Sequence, residues 1–129
     1  MPGKAHAVQN GAELRDAVKE LAESLGLETA IEVEVGRRIW GARRRIDVVV
    51  RHPGTRLTLG IECKYQATQG TAQEKIAATI EDMKGWPIRG IVVFDGDGFT
   101  SDMVAYLLST GKAIEFRDVR KWLELYFGV

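Results

Sequence analysis

The stretch from Arg45 to Lys64, RIDVVVRHPGTRLTLGIECK, leaves this chain the fewest ways to fold. Val, Ile and Leu fill two arms, and His52-Pro53-Gly54-Thr55 between them carries the Pro-Gly pair that marks a bend. Two strands joined by a tight turn are therefore predicted. With Gly54 and Thr55 as the loop residues, Val50 meets Leu59, Val48 meets Ile61 and Ile46 meets Cys63, so one face is apolar throughout. Side chains on a strand alternate with period two, so the other face sets Asp47 against Glu62, with Lys64 on the same side. Such a group can be read as a salt-bridge cluster on an exposed sheet face. The Asp47–Glu62 pair is like-charged, however, and is destabilising unless something positive bridges it. That favours a divalent cation. Cys63 points to the apolar side in this register, which makes it a core residue and not a thiol nucleophile.

The rest of the chain supplies elements to surround this hairpin. Residues 1–9 read as a flexible tail, and residues 10–129 as one domain, since a chain of 129 residues has room for a single core. From Asn10 to Leu25, Leu14, Val18, Leu21, Ala22 and Leu25 recur at helical spacing, with Asn10 as N-cap and Gly26 as terminator. Thr29 to Trp40 alternates, with Ile31, Val33 and Val35 on one side and Glu32 and Glu34 on the other, and Gly41-Ala42 turns the chain toward Asp47. After Lys64 comes a polar loop. Thr71-Ala72-Gln73-Glu74 is a capping box that opens a helix burying Ile76, Ala77, Ile80 and Met83. Ile88 to Phe94 is an almost unbroken apolar run, which suits a strand covered on both faces. The loop Asp95-Gly96-Asp97-Gly98 has too short a ligand series for an EF-hand. A helix from Ser101 to Leu108, a strand from Ala113 to Phe116 and a helix capped by Asp118 and ending near Phe127 complete the order. Trp122, Tyr126 and Phe127 can serve either the core or a dimer surface.

Composition narrows the function classes. Hydrophobic residues at 45% and charged residues at 28% fit an ordinary soluble globular protein. No apolar run approaches the roughly 20 residues that a membrane span needs, so no membrane partner is expected. One cysteine excludes an internal disulfide, which fits a reducing cytoplasm, and with two histidines it argues against a zinc site. Net charge is zero, yet the charges are unevenly placed. Arg37, Arg38, Arg43, Arg44, Arg45, Arg51 and Arg56 share one stretch with a single acid, Asp47. Arginine's planar fork pairs with phosphate through bidentate, charge-assisted bonds, so RRIWGARRR is a candidate DNA contact or, more simply, a solubilising hairpin. Trp40 at its centre can stack on a base or pack on the sheet.

An Asp followed across a hairpin by Glu-x-Lys, here Ile46-Asp47 and then Glu62-Cys63-Lys64, resembles the PD-(D/E)XK nuclease superfamily, with Ile46 where proline is usual. The resemblance implies a restriction-endonuclease-like α/β fold: a central mixed sheet flanked by helices, an α-β-β-β-α-β core over about residues 10–95, and here an α-β-α extension. It also implies a metal-dependent DNA endonuclease hydrolysing phosphodiester bonds. Asp47 and Glu62 would hold Mg2+ or Mn2+ with the backbone carbonyl of Cys63, and Lys64 would orient or deprotonate the attacking water. Glu13 on the first helix is a candidate extra acid, or plain helix surface. Gln66 and Gln73 in the segment after the motif are candidate DNA contacts, or ordinary surface. One branch of the superfamily carries Gln-x-x-x-Tyr there, and Ala77 after Gln73 sets this chain apart from it. DNA is the expected partner, with a homodimer or a specificity subunit as further options. A Holliday-junction resolvase, or a non-catalytic DNA-binding or assembly protein with a vestigial site, are the alternatives.

Overall fold

The computed structural model describes residues 9–37, 43–68 and 72–129, and of Arg37, Arg43, Ala72 and Gln73 the backbone alone. Most of the expected tail, Trp40 with the Gly41-Ala42 turn, and the Thr71 cap lie outside the described residues. The elements run α1 (Gly11–Ser24), β1 (Glu28–Arg37), β2 (Arg43–Arg51), β3 (Thr58–Tyr65), α2 (Ala72–Met83), β4 (Gly90–Asp95), α3 (Ser101–Ser109), β5 (Ala113–Glu115) and α4 (Val119–Phe127). The sheet order is β1-β2-β3-β4-β5. The first three strands form an antiparallel meander, while β4 pairs parallel to β3 and β5 parallel to β4. Parallel neighbours need a crossover, and α2 and α3 provide the two. This is a mixed sheet flanked by helices, in the expected order.

Each face of the sheet carries its own core. Leu14, Val18 and Ala22 of α1 and Val119, Leu123 and Phe127 of α4 pack on Val48, Val50, Leu59, Ile61, Cys63, Ile91 and Val93. Ile76 and Met83 of α2 and Leu107 of α3 pack with Ile46, Val92 and Phe94 on the other side. Strand β4 is buried on both faces, which accounts for its unbroken apolar run. Asn10 caps α1 as expected, its Oδ1 accepting the Glu13 N–H at 2.9 Å, and Gly26 leaves the helix with φ 83°. Asp118 stands at the N-cap position of α4 but makes no side-chain capping bond, because it also closes a 3-10 turn over Phe116–Asp118. Trp122 stacks on Tyr126 with ring centroids 5.0 Å apart, and both pack against the first core beside buried Phe127. Among the described residues, no helix is long and apolar enough to cross a membrane.

Two local departures from the expected hairpin shape the site. The loop between β2 and β3 spans four residues, Pro53 to Arg56, closed by the His52 N–H donating to the Leu57 carbonyl at 2.9 Å. It is longer than the two-residue turn but shares its centre, so the pairing of Val50 with Leu59 and Val48 with Ile61 is retained. The second departure is at Ile46. It lies in the α2–α3 core while Val48 lies in the α1–α4 core, so β2 changes face between them. On β1 the change is matched at Glu32, whose φ of 54° breaks the expected alternation and leaves Ile31 38% exposed.

Trp86, just beyond α2, fixes how the antiparallel and parallel halves meet. Its indole lies across Gly60 of β3 and Gly90 of β4, which are direct neighbours in the ladder. A Cβ at Gly90 would lie 2.6 Å from the ring, and one at Gly60 2.8 Å. The ring is 8% exposed and its Nε1 has no hydrogen-bond partner among the described residues, so packing alone holds it. We expect Gly90→Ala to lower stability by about 1–3 kcal/mol, the usual cost of overpacking a closed core. Adding Trp86→Leu should restore part of the loss. Thermal unfolding of the two variants checks this, and an unchanged melting temperature in Gly90→Ala would contradict it.

Candidate active site

The β2–β3 ladder runs from Arg51 and Thr58 up to Val48 and Ile61. Beyond that point acidic side chains take the backbone donors. The Cys63 N–H donates to Asp47 Oδ2 at 2.8 Å, and the Asp47 N–H donates to Glu62 Oε1 at 3.4 Å. The change of face at Asp47 is what turns its carboxylate into the gap between the strands. Glu62 stays on the α2–α3 face opposite Val92, and Lys64, two residues on, brings its Nζ to 3.8 Å from Glu62 Oε2. Asp47, Glu62 and Lys64 thus meet at one end of the hairpin, Glu62 and Lys64 through the alternation of β3 and Asp47 through the change of face in β2.

The electrostatics of this group are unfavourable as it stands. The Glu62 side chain is only 13% exposed. Burial, and then the Asp47 charge, push its carboxyl up to about 7, with Lys64 offsetting them in part. Asp47 is raised as well, chiefly by burial and next by Glu32, against the Cys63 N–H, which favours its ionised form. Burial also pushes the Cys63 thiol up, so it stays protonated and inert in the core, as its position in the sequence predicts. Among the described residues, no group of three or more His, Cys, Asp or Glu side chains gathers to hold a metal. Asp47 and Glu62 are a pair.

The other candidates fall in different places. Glu13 is occupied with helix capping: its Oε1 accepts the Gln9 N–H at 2.7 Å, and it does not join the pair. Arg44 is tied down, its Nε and Nη2 on Asp82 Oδ1 at 3.3 and 3.2 Å and its Nη1 donating to the Gly85 carbonyl at 3.2 Å. The guanidinium lies in the space that a Cβ at Gly85 would enter. Arg45 is half-exposed and points to Glu32, with Nη1 3.9 Å from Oε1. Gln66 is engaged below the surface. Its backbone holds the Asp95–Gly98 loop, giving its N–H to the Asp95 carbonyl at 3.0 Å and accepting the Gly98 N–H at 2.8 Å, while its Nε2 is buried with no hydrogen-bond partner among the described residues. Gly96 and Gly98 lie so close to the Gln66 and Thr68 carbonyls that neither position admits a Cβ, which accounts for the glycines of that loop. Arg38 and the side chains of Arg37, Arg43 and Gln73 lie outside the described residues.

Sequence reasoning missed Glu32 and Arg15. Glu32 sits between residues paired with Val48 and Ile46, and so stands across from Asp47. Arg15 of α1 reaches it, with Nη1 3.6 Å from Glu32 Oε2. The signal for Glu32 was present in the strand register, but its left-handed backbone was not.

A raised carboxyl has a definite sign in stability. The folded state holds the Glu62 proton up to about pH 7, while the unfolded state releases it near 4.5. Stability must therefore fall as pH rises between those values, by of order 3 kcal/mol at about 1.4 kcal/mol per pKa unit. Melting curves in a chelating buffer should show a decline of several degrees from pH 5 to 7.5. Glu62→Gln should remove most of that slope. A melting temperature that rises over this range would contradict the burial of an uncompensated pair.

Comparison with known proteins bears on this arrangement. The model of a PD-(D/E)XK nuclease superfamily domain matches residues 6–124. Among solved structures, the crystal structure of a protein of unknown function, AF1548, is similar with a TM-score of 0.53 at 22% identity, over 81% of this chain and 57% of its own. The chain thus spans little more than half of that neighbour, and at this identity the likeness concerns the fold alone. No curated protein matches the chain in sequence. The family match takes in α1, all five strands and the Asp47–Glu62–Lys64 group, and the chain belongs to the PD-(D/E)XK nuclease superfamily.

Proposed function

We propose that this chain is a metal-dependent DNA endonuclease in which Asp47 and Glu62 hold Mg2+ or Mn2+ and Lys64 positions the attacking water. The observation that carries the reading is the half-buried carboxylate pair, joined through the Asp47 N–H to Glu62 Oε1, with Glu62 pushed up to about 7 by burial and by Asp47. A pair so destabilised is relieved by a cation between its members, and hard carboxylate oxygens suit Mg2+ or Mn2+. Two side chains are few ligands, which fits an ion that keeps several of its waters. On a strand, the N–H and C=O of one residue project to the same edge. The Cys63 carbonyl therefore faces the gap into which its own N–H binds Asp47, which supports it as a third donor.

When bound, such an ion supplies Lewis acidity at the phosphate and lowers the pKa of a water. The chain's residues do the rest. The Cys63 N–H fixes one oxygen of Asp47 and so sets the direction of the other. Lys64, whose side chain is 36% exposed, is open enough to meet a substrate while tethered toward Glu62. It orients or deprotonates the attacking water and stabilises charge on the phosphate. The water oxygen bonds to phosphorus as the bond to the 3′ oxygen breaks. The products are a 3′ hydroxyl and a 5′ phosphate.

Incubation of supercoiled plasmid, single-stranded DNA and a four-way junction with Mg2+ or Mn2+ tests this. Wild type should cut at least one of them and lose the activity in a chelator. Lys64→Ala and Asp47→Ala should lower the rate by about 100-fold or more, the scale expected for general acid–base and electrostatic groups. Wild-type protein that binds DNA but cuts nothing with either ion would contradict the proposal, and preference for the junction would mark a resolvase.

A further inference from the structure

We propose that Arg15 of α1 and Arg45 of β2 form a two-pronged clamp for a nucleic-acid backbone phosphate beside the carboxylate pair, with Glu32 as the residue that positions them. This rests on the nuclease reading above; it keeps Arg45 of the arginine-rich hairpin as a DNA contact and adds Arg15 and Glu32, which neither the motif nor that hairpin singles out.

The register places three acids in one lateral row across the sheet. Glu32 of β1 stands across from Asp47 of β2, and Asp47 meets Glu62 of β3. Lys64 reaches the inner end of the row, and Arg15 and Arg45 reach the outer end. The two arginines come from different elements and arrive at different oxygens of one carboxylate, Arg15 Nη1 at 3.6 Å from Oε2 and Arg45 Nη1 at 3.9 Å from Oε1. The left-handed backbone of Glu32 accompanies this placement.

The quality of these contacts distinguishes the clamp from a structural ion pair. Both separations exceed hydrogen-bonding distance. Arg15 Nε is satisfied by Asp16 Oδ1 at 3.1 Å, but Glu32 holds Arg15 Nη1 only loosely at 3.6 Å and Arg45 Nη1 more loosely still at 3.9 Å. By contrast, Arg44 and Arg51 are bonded through: Arg51 gives Nε and Nη2 to Glu28 Oε1 at 2.9 and 2.7 Å, and Arg44 holds Asp82 and the Gly85 carbonyl. Glu32 thus orients two guanidinium groups through one nitrogen of each and leaves most of their N–H groups to spare. Planar forks with unused N–H groups are what a phosphate takes in bidentate fashion. Adjacent strands lie about 4.8 Å apart, so the clamp is one strand removed from Asp47, within reach of a phosphate next to the one bound at the pair.

The test is the salt dependence of binding to a fluorescein-labelled duplex, followed by anisotropy in EDTA so that cleavage does not intervene. Each phosphate neutralised contributes about 0.9 to the slope of log K against log salt. With one phosphate held between the two guanidinium groups, the double variant Arg15→Gln with Arg45→Gln should flatten the slope by about 1, and Arg15→Gln alone by less while weakening binding severalfold. Arg15→Lys should keep the slope and lose affinity severalfold, because it keeps the charge and lacks the fork. Arg51→Gln should leave the slope unchanged. Melting curves confirm that each variant is folded, and charge-keeping Arg15→Lys separates a phosphate contact from a packing role. If wild type binds and the double variant keeps the wild-type slope and affinity, the clamp is overturned and the nuclease reading stands. If wild type binds no duplex, the clamp is overturned, and the nuclease reading is decided by the cleavage assay on plasmid, single strands and junction.

Discussion

The hydrogen bond from the Cys63 N–H to Asp47 Oδ2 is the interaction on which the functional end of this molecule depends. It forms where backbone pairing between β2 and β3 stops, and it replaces a ladder bond with a carboxylate. Three consequences follow. The strand must change face at Asp47, which sends Ile46 into the second core. Glu62 is brought against a second acid with little water around either. The edge of Cys63 that carries its carbonyl faces the same gap. A fold that keeps a like-charged pair half-buried gives up stability, and the two hydrophobic cores on either side of the sheet offset that loss.

Those cores also hold the rest of the site in place. Helix α1 lies on one face and brings Arg15 to Glu32, while α2 on the other face is tied to β2 through Arg44, Asp82 and Gly85. Trp86 over Gly60 and Gly90 locks the parallel half of the sheet to the antiparallel half. The Asp95–Gly98 loop is pressed on Gln66 and Thr68, so the segment just after Lys64 is held by the end of β4. The motif residues are few, but each is set by a contact from a separate element.

Much of this was legible in the sequence, for a physical reason. Alternation along β2 and β3 is local, and only one register buries Val48, Val50, Leu59 and Ile61 together, so Glu62 and Lys64 had to share a face. The capped helix α1 and the doubly covered β4 were likewise set by local pattern. What escaped depends on tertiary contact. Nothing in Glu32 itself announces a positive φ, and nothing in Ile46 announces a change of face. The arginine-rich hairpin read as a block, yet Arg44 proved to be a strut to α2 and Arg45 a partner of Glu32, a difference made by acids far away in sequence. Gly85 was readable as punctuation but not as the space for a guanidinium. Glu13 read as a candidate metal ligand and lies instead in the cap of its own helix.

The central claim is that the Asp47–Glu62 pair is a cation site. Calorimetric titration of Mn2+ into the protein at pH 7, repeated in buffers of different ionisation enthalpy, tests it most directly. Glu62 is partly protonated at that pH, so binding must release a fraction of a proton as its carboxyl ionises. The account predicts saturable binding with proton release in wild type, with both lost or greatly weakened in Asp47→Asn and Glu62→Gln. No saturable binding, or binding that persists unchanged in both variants, would contradict it.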